Sequence, residues 1–167
     1  MEPRLRVAER ADVPAIVRCY MRSWRAAYEN DLPAEQLNAE AEKRRSFDWS
    51  RGVDSDESTV LLAVDGHAVT GVLQTDLVLS PPRDLPEVTM LYVDPCEWGS
   101  RVAARLLRGG LHWIGQQGGH AARVRVVEAH RRARRFYERE GFVLDLGMEP
   151  ARNDFFQLVY YRGVLAC

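Results

Sequence analysis

The stretch of sequence that decides the fold is EVTMLYVDPCEWGSRVAARLL, residues 87–107. It begins as a strongly strand-like apolar run, passes through a turn containing Asp94, Pro95 and Gly99, and leads directly into a helical pattern. The first amides of such a helix lack an intrahelical acceptor and lie at the positive end of its dipole. The segment therefore favours a site for a phosphate or pyrophosphate, although many units of this kind bind nothing.

A second strand completes this unit. The helix carries apolar residues at helical spacing and ends at the glycines of residues 116–119, QQGG. Residues 122–127, ARVRVV, predict the next strand. Two strands joined through a helix in this way are parallel, and the crossover is right-handed. Residues 87–127 are thus predicted to form one βαβ crossover.

The N-terminal half predicts a strand, two helices and a hairpin. Asp12 is expected to cap the first helix, which has one apolar stripe, and the polar residues 48–59 are expected to form a loop. The hairpin turns at Asp65-Gly66. These elements are expected over Leu5–Ala8, from Asp12 to Tyr28, from Ala34 to about Phe47, and over residues 59–64 and 68–79.

The C-terminal part predicts a short helix and two closing strands. Within residues 124–145, the end of a strand is followed by a helix that contains Ala133, Phe136 and Tyr137 and stops at Gly141. Strands follow over residues 142–146 and 155–164, with a turn-rich segment between them. The fold class is α/β (α+β): a mixed, mostly antiparallel sheet of about seven strands, one parallel crossover, and helices on both faces. Residues 1–167 are expected to form one domain.

Composition and charge narrow the function. With 46% hydrophobic and 28% charged residues, the chain has an ordinary globular composition and no apolar run long enough for a membrane helix. The N-terminus is too polar for a signal peptide, so a cytoplasmic protein is expected. Residues 1–98 hold 11 basic and 18 acidic residues, whereas residues 99–167 hold 12 and 6. This asymmetry indicates that the C-terminal part binds an anion.

Four arginines, residues 131, 132, 134 and 135, give the last helix a cationic surface. That surface is compatible with a solvated helix face, with a polyanionic ligand, or with an RNA-binding helix. The three cysteines cannot all pair within the chain, and the four histidines show no metal-ligand spacing, so no metal is assigned.

Two segments together resemble the GNAT superfamily of acetyl-coenzyme A-dependent N-acetyltransferases. The family's loop pattern Q/R-x-x-G-x-G/A corresponds to residues 98–103, and its pattern N-x-x-A-x-x-F-Y-x-x-x-G-F corresponds to residues 130–142. Ser23–Pro33 is also similar to the first-helix region of many bacterial members. The order of elements fits along nearly the whole chain.

The chain departs from the family patterns at three positions. Trp98 replaces the first Gln or Arg of the loop, and Arg101 replaces a glycine that lets the backbone approach phosphate closely. His130 replaces the Asn that begins the last helix. Ala103 lies within the pattern.

The resemblance implies that acetyl-coenzyme A binds where the sheet opens beside its fourth strand. Main-chain groups near Leu91 and Val93 would bind pantetheine, and loop amides would hold the pyrophosphate. The implied cofactor-binding residues are Leu91, Tyr92, Val93, Trp98, Gly99, Ser100, Arg101, Val102, Ala103, Ala104, His130, Ala133 and Tyr137.

The resemblance also implies the catalytic groups. Glu87 would accept the proton of the acceptor amine, directly or through water, and Tyr137 would protonate the departing thiolate. A strand amide, placed at Val93, would hold the developing oxyanion. A Cys96 acyl-enzyme is an alternative, but no base is paired with this thiol in the sequence.

The acceptor is expected to bind at the first two helices. Trp24, Tyr28 and Glu29 are the predicted substrate-binding residues, and acidic side chains there would attract a cationic amine. Trp24 and Tyr28 also fit the apolar stripe, so filling the core is the competing interpretation.

The resulting hypothesis is direct acetyl transfer from acetyl-coenzyme A to a primary amine of a small molecule or peptide. The alternatives are a catalytically silent coenzyme A-binding or regulatory module, and an RNA-interacting protein. The resemblance is compatible with a homodimer, and neither a membrane nor a nucleic acid is the expected partner.

Overall fold

The computed structural model describes residues 2–77, 85–152 and 156–165. Their strands are β1 Arg4–Val7, β2 Ser58–Asp65, β3 Ala68–Asp76, β4 Glu87–Val93, β5 Ala121–Val127, β6 Val143–Leu144, β7 Ala151–Arg152 and β8 Gln157–Val164. Their α-helices are α1 Val13–Tyr28, α2 Ala34–Arg45, α3 Trp49–Val53, α4 Val102–Gln116 and α5 Arg131–Arg139. Short 3-10 turns, Arg10–Asp12 and Pro95–Glu97, precede α1 and α4.

The strands form one mixed sheet in the order β1-β2-β3-β4-β5-β8-β6, with β7 paired to β8. Neighbouring strands are antiparallel except β4 and β5, which are parallel and joined through α4. The predicted fold class, including the crossover, is therefore confirmed. The described residues contain eight strands, in line with the expected number of about seven; the additional one is Ala151–Arg152, which pairs with β8 inside the segment predicted to be a turn.

Helices cover both faces of the sheet, as expected. The α1 face, which we define as the side carrying α1, α2 and α3, buries Ile16, Tyr20 and Trp24 against β2, β3 and β4. The α4 face is the opposite side, where α4 and α5 bury Leu106 and Tyr137. The sheet thus separates two apolar cores, one on each face.

The predicted loop of residues 48–59 contains a helix, α3. Trp49 is fully buried in the α1-face core, and the Asp48 carboxylate caps the turn by accepting from the Ser50 amide at 3.1 Å. Burial of one large aromatic side chain therefore gives helical structure to a segment of polar composition. The preceding helix, α2, ends at Arg45 rather than near Phe47.

Asp12 does not cap α1 as predicted. Its carboxylate instead accepts two hydrogen bonds from Arg6, at 2.6 and 2.7 Å, and one from the Glu9 amide at 2.8 Å. The residues before α1 form a 3-10 turn, so Asp12 has helical backbone angles and joins β1 to this turn.

β4 is the strand at which the sheet changes. Its pairing with β3 shifts between Gln74 and Thr75, which leaves Thr89 as the extra residue of a β-bulge. Its pairing with β5 is limited to Glu87 with Arg123 and Val88 with Val124. Beyond Val88 the two strands continue without pairing, and this opening is called the wedge below.

We predict opposite stability effects for two glycines of α4. An added Cβ at Gly110 would lie 2.7 Å from Leu73 Cδ2 and 2.9 Å from Thr75 Cγ2, whereas at Gly115 its nearest neighbour would be Leu165 Cδ2 at 3.5 Å. Gly110→Ala should lower the free energy of unfolding by about 1 kcal/mol, because overpacking exceeds the gain in helix propensity. Gly115→Ala should raise it by about 0.5 kcal/mol.

Urea denaturation of both variants measures these changes. Stabilisation by Gly110→Ala would show that α4 does not pack as closely on β3 as the structure has it.

Candidate functional site

The wedge between β4 and β5 has main-chain polar groups along one wall. The Asp94 amide donates to the Thr70 carbonyl of the β3 side at 2.8 Å. Because N–H and C=O groups point to alternate sides along a strand, those of Leu91 and Val93 point away from β3, towards β5. Since β5 does not pair there, these groups face the opening.

The turn after β4 is held by Asp94. Its buried carboxylate accepts from the Cys96 amide at 3.1 Å and forms an ion pair with Arg22 of α1. Burial alone would raise the pKa of Asp94, but the hydrogen bonds from Cys96 and the charge of Arg22 hold it below its usual range. Asp94 therefore stays ionised and joins α1 to the loop that leads into α4.

The loop of residues 98–101 and the first turn of α4 present unpaired amides, although the amides of Trp98 and Ser100 donate to backbone carbonyls. Gly99 has a φ of +86°, a conformation that favours glycine, and Ser100 Oγ accepts from the Val102 amide at 3.2 Å. Within the part of the chain that the structure describes, the amides of Arg101, Ala103 and Ala104 have no hydrogen-bond acceptor. They lie at the positive end of the α4 dipole, which is a suitable place for an anion.

Arg101, which stands where the family pattern has glycine, adopts an ordinary backbone conformation with φ −86° and ψ 0°. Its side chain is exposed. The positive φ in this loop is instead required at Gly99. The arginine therefore introduces no backbone strain, and its amide remains among the unpaired donors.

Trp98 lies across the mouth of the wedge. Its indole Nε1 donates to the Val93 carbonyl at 3.0 Å, and the Arg132 guanidinium of α5 stacks 3.7 Å from its ring centroid. The indole therefore hydrogen-bonds to a β4 carbonyl that would otherwise face the opening, and its contact with Arg132 joins β4 to α5. The contact links residues 34 positions apart, so the sequence pattern carried no sign of it.

Tyr137 is buried at the α4 face of the wedge. Its ring makes edge contacts with Phe136 and Phe142, at centroid distances of 5.1 and 5.5 Å. Burial, with a smaller contribution from Tyr92, raises the pKa of Tyr137 well above its ordinary value. The phenol is therefore protonated at neutral pH and is available as a proton donor.

Glu87 is buried at the closed end of the wedge. It stands in register between Asp76 of β3 and Arg123 of β5, and its Oε1 accepts from Arg125 Nε at 2.6 Å. Burial raises the pKa of Glu87 above its ordinary value, although Arg125 acts in the opposite direction. A raised pKa moves a carboxylate towards the range useful for accepting a proton near neutrality.

Asp76 holds a polar network next to Glu87 that the sequence analysis did not find. Its carboxylate accepts from Ser58 Oγ, from Gln74 Nε2 at 3.0 Å and from Thr89 Oγ1 at 2.5 Å. Thr89 is the bulged residue of β4. The network therefore fixes the bulge and places a second carboxylate beside Glu87 on the same side of the sheet.

A cavity of about 380 Å³ lies on the α1 face beside β4. Its walls come from α1, the end of α2 with the residues after it, and β4. The lining residues are Tyr20, Lys43, Arg44, Ser46, Phe47, Met90 and Tyr92. Sequence reasoning missed this site; the adjacent cations at the end of α2 and the alternation of Met90 and Tyr92 on β4 were the available signals.

The residues predicted to bind the acceptor do not line this cavity. Trp24 is 1% exposed, and the Arg44 guanidinium stacks 4.6 Å from its ring centroid. Tyr28 is buried, with its ring 5.4 Å from that of His130 and 5.1 Å from that of Phe156. Glu29 is exposed. Their role in substrate binding stays a prediction.

His130 begins α5 without capping it through its side chain. Burial lowers the pKa of His130 from its ordinary value, so the ring is neutral at physiological pH. Ala133, one turn further along α5, is half-buried against the α4-face core.

The arginines of α5 serve several structural contacts. Arg134 donates to the Tyr161 hydroxyl at 3.0 Å and to the Glu128 carbonyl at 3.2 Å, while Arg132 stacks on Trp98. Arg131 and Arg135 line a shallow cavity of about 170 Å³ with Arg134 and Glu138. The acidic member of this cavity reduces its attraction for a polyanion.

Cysteine and metal chemistry find little support in the described residues. The hydrogen bond and charge of Asp94 raise the pKa of Cys96, the opposite of what a nucleophilic thiolate needs. Cys167 lies outside the described residues. Among the residues that the structure describes, no three His, Cys, Asp or Glu side chains are grouped so as to hold a metal ion, and no helix is long and apolar enough to span a membrane.

Comparison with known proteins yields one family. The model of the acetyltransferase (GNAT) family matches residues 15–142, which include most of α1, the wedge and all of α5. No curated protein matches the chain.

Solved structures share the fold over nearly the whole chain. The PaiA N-acetyltransferase from Thermoplasma acidophilum, solved in complex with coenzyme A, is 15% identical with a TM-score of 0.79, covering 96% of this chain and 98% of its own. A GCN5-related N-acetyltransferase from Rhodopseudomonas palustris is 19% identical with a TM-score of 0.75, covering 99% and 97%. The ribosomal-protein-S18-alanine N-acetyltransferase from Escherichia coli is 16% identical with a TM-score of 0.67, covering 100% and 96%.

We predict that Arg125→Gln raises the pKa of Glu87 further. Loss of the guanidinium removes the main interaction that favours the ionised carboxylate, while the burial that favours the neutral form remains. Carbon-detected NMR titration of the glutamate carboxyl signals, with Glu87→Gln for assignment, measures the change. Arg139→Gln, which removes an exposed charge of α5, is the matched control and should leave the titration as it was; a lower pKa in Arg125→Gln would contradict the prediction.

Proposed function

Because this chain belongs to the acetyltransferase (GNAT) family, we propose that it transfers an acetyl group from acetyl-coenzyme A to a primary amine. The observation that carries the proposal is the wedge, where β4 and β5 separate after Val88 beside a loop of unpaired amides. The wedge offers alternating main-chain donors and acceptors to an extended amide-containing chain, and the loop offers N–H donors to an anion.

The residues present fit coenzyme A as a ligand. Main-chain groups of Leu91 and Val93 would bind the pantetheine amides. The amides of Arg101, Ala103 and Ala104 would bind the pyrophosphate. The net charge of residues 99–140, with 10 arginines and 3 acids, suits a ligand with three phosphate groups. When bound, acetyl-coenzyme A supplies a thioester whose carbonyl carbon accepts the amine and whose thiolate departs.

Two side chains supply the proton transfers. Glu87, with its raised pKa, accepts a proton from the ammonium form of the acceptor, directly or through water, so that the neutral amine can attack. Tyr137 donates its phenol proton to the departing thiolate. The Val93 amide donates to the oxygen on which negative charge develops.

A catalytically silent coenzyme A-binding module is the second candidate. The observation that favours it is Trp98, whose indole occupies the Val93 carbonyl that pantetheine would use. The two candidates differ in one measurable respect, because only the enzyme releases thiol when acetyl-coenzyme A and an amine are both present.

We place the transfer in the cytoplasm, and a homodimer remains part of the proposal.

We predict that Tyr137→Phe lowers kcat for thiol release by about 100-fold or more, since general acid catalysis contributes at least that factor. The phenyl ring preserves the packing against Phe136 and Phe142, so coenzyme A affinity should be unchanged. A thiol-trapping assay over a panel of amines measures kcat, and isothermal titration measures binding.

The matched control is Tyr161→Phe, which removes a buried phenol from the same α4-face core. That hydroxyl only joins Arg134 to Glu138, so kcat should remain that of the unaltered protein. Coenzyme A binding with no thiol release on any amine would favour the silent module. Absence of coenzyme A binding at millimolar ligand would reject both candidates.

We predict that Trp98→Phe strengthens coenzyme A binding. The variant keeps a ring beneath Arg132 but removes the N–H that occupies the Val93 carbonyl. One hydrogen bond is worth about 0.5–1.5 kcal/mol, so the dissociation constant should fall by about two- to tenfold. Isothermal titration measures the change, and Trp113→Phe on α4 serves as control; weaker binding by Trp98→Phe would show that the indole helps to hold the ligand.

A further inference from the structure

We propose that the cavity between α1, α2 and β4 binds the acceptor through a carboxylate, so that the amine acetylated belongs to the amino-acid class. The inference rests on the proposed function and narrows its acceptor from any primary amine to one that also carries a carboxylate.

The charge of the cavity points to an anionic group. Of its seven lining residues, Lys43 and Arg44 are cationic, and the other five are uncharged. None of the described lining residues is acidic. Such a cavity attracts a carboxylate and repels a polyamine or an aminoglycoside, whose several ammonium groups would face two cations.

Glu40 neutralises this charge only in part. Its buried carboxylate accepts from Arg44 Nη1 at 2.5 Å and from Lys43 Nζ at 2.8 Å. Burial would raise the pKa of Glu40, but these two cations hold it below its ordinary value, so it remains ionised. One carboxylate thus accepts from two cations, and the three side chains together carry a formal charge of +1.

Arg44 is preorganised to hold a carboxylate. Its Cζ lies over the Trp24 ring, 4.6 Å from the centroid, while Nη1 donates to Glu40. The remaining N–H groups have no acceptor among the described residues, and 26% of the side chain is exposed. A planar guanidinium held in this way offers parallel N–H donors to both oxygens of a carboxylate.

The cavity has the size and position for an amino-acid acceptor. Its volume of about 380 Å³ falls in the lower range of small-molecule sites, and Phe47, Met90 and Tyr92 give it an apolar wall for a side chain. Met90 and Tyr92 alternate along β4 with Leu91 and Val93, whose main-chain groups face the wedge. A ligand held in the cavity is therefore separated from the wedge by a single strand.

This inference differs from the acidic acceptor site expected from the sequence. Glu29 is exposed and does not line the cavity, whereas the side chains that do line it carry the opposite charge. The two expectations make opposite statements about the acceptor, so one experiment separates them.

The experiment compares amines that differ only in the carboxylate. The probes are L-methionine with L-methioninamide and L-phenylalanine with L-phenylalaninamide, and spermidine represents a polycation. For each pair, kcat/KM of the acid is divided by kcat/KM of the amide. This ratio is measured in the unaltered protein, in Arg44→Gln, in Arg44→Lys and in Arg45→Gln.

Arg44→Gln should lower the acid-to-amide ratio by about tenfold, since one charge-assisted hydrogen bond has at least that effect on affinity. Differences in amine basicity cancel, because the same two substrates are compared in each protein. Arg44→Lys keeps the charge but loses the planar fork, so its ratio should be intermediate. Arg45→Gln removes an adjacent charge that pairs with Glu42 outside the cavity, and its ratio should equal that of the unaltered protein.

An unchanged ratio in Arg44→Gln would overturn the inference, as would acetylation of spermidine or the amides with no reaction of the acids. If no amine is acetylated, the proposed function fails, and isothermal titration of the same ligands then tests this inference separately. Binding of the acids that depends on Arg44 supports the inference, and binding of acids and amides that is equal or absent overturns it.

Thermal melting checks the fold of Arg44→Gln. If that variant unfolds, Arg44→Lys and Lys43→Gln supply the comparison instead.

Discussion

Incomplete hydrogen bonding along β4 is the constraint on which the arrangement of this molecule depends. The strand is paired to β3 along its length, but on the other side only Glu87 and Val88 pair with β5. A main-chain group without a partner away from water costs about 1–3 kcal/mol, so a sheet with such a gap needs water, a side chain or a ligand to satisfy it. Trp98 satisfies one of these groups from within the chain, at the Val93 carbonyl. The main-chain groups of Leu91 and the amides at the start of α4 have no partner among the described residues, so the wedge and the loop together offer polar groups to a ligand.

The charged groups around this gap are ordered by the register of the sheet. Asp76, Glu87 and Arg123 are neighbours across β3, β4 and β5, so three ionisable side chains meet at one level. Arg123 also reaches Asp145 at 3.4 Å, and Arg125 reaches Glu87 at 2.6 Å. Burial raises the pKa of Glu87, whereas the charges of Arg125 and Arg123 on β5 act in the opposite direction. The β-bulge at Thr89 adds a local twist at this level and is itself tied to Asp76.

Local patterns were sufficient for most of the fold and for part of the site. Alternation and helical spacing predicted the crossover of residues 87–127, because strand, turn and helix follow one another and their signals are local. The same signals did not reveal α3, since Trp49 and Val53 gain their contacts with the core only in three dimensions, within a segment that is otherwise polar or small. They did not reveal the cavity either, because Arg44 and Met90 are brought together by the packing of α2 near β4. Trp98 was identified as an unusual loop residue, yet its effect depends on Arg132, which only the folded sheet brings within 3.7 Å.

The ion pair between Asp94 and Arg22 connects the two halves of the site mechanically. Asp94 orders the turn that leads to the loop amides, and Arg22 belongs to α1, the helix from which Tyr20 enters the cavity. A ligand at the loop before α4 and a ligand in the α1-face cavity would therefore both contact elements that this ion pair joins. Thermodynamic linkage requires such an influence to be reciprocal, so that whatever factor the nucleotide exerts on acceptor affinity, the acceptor exerts on the nucleotide.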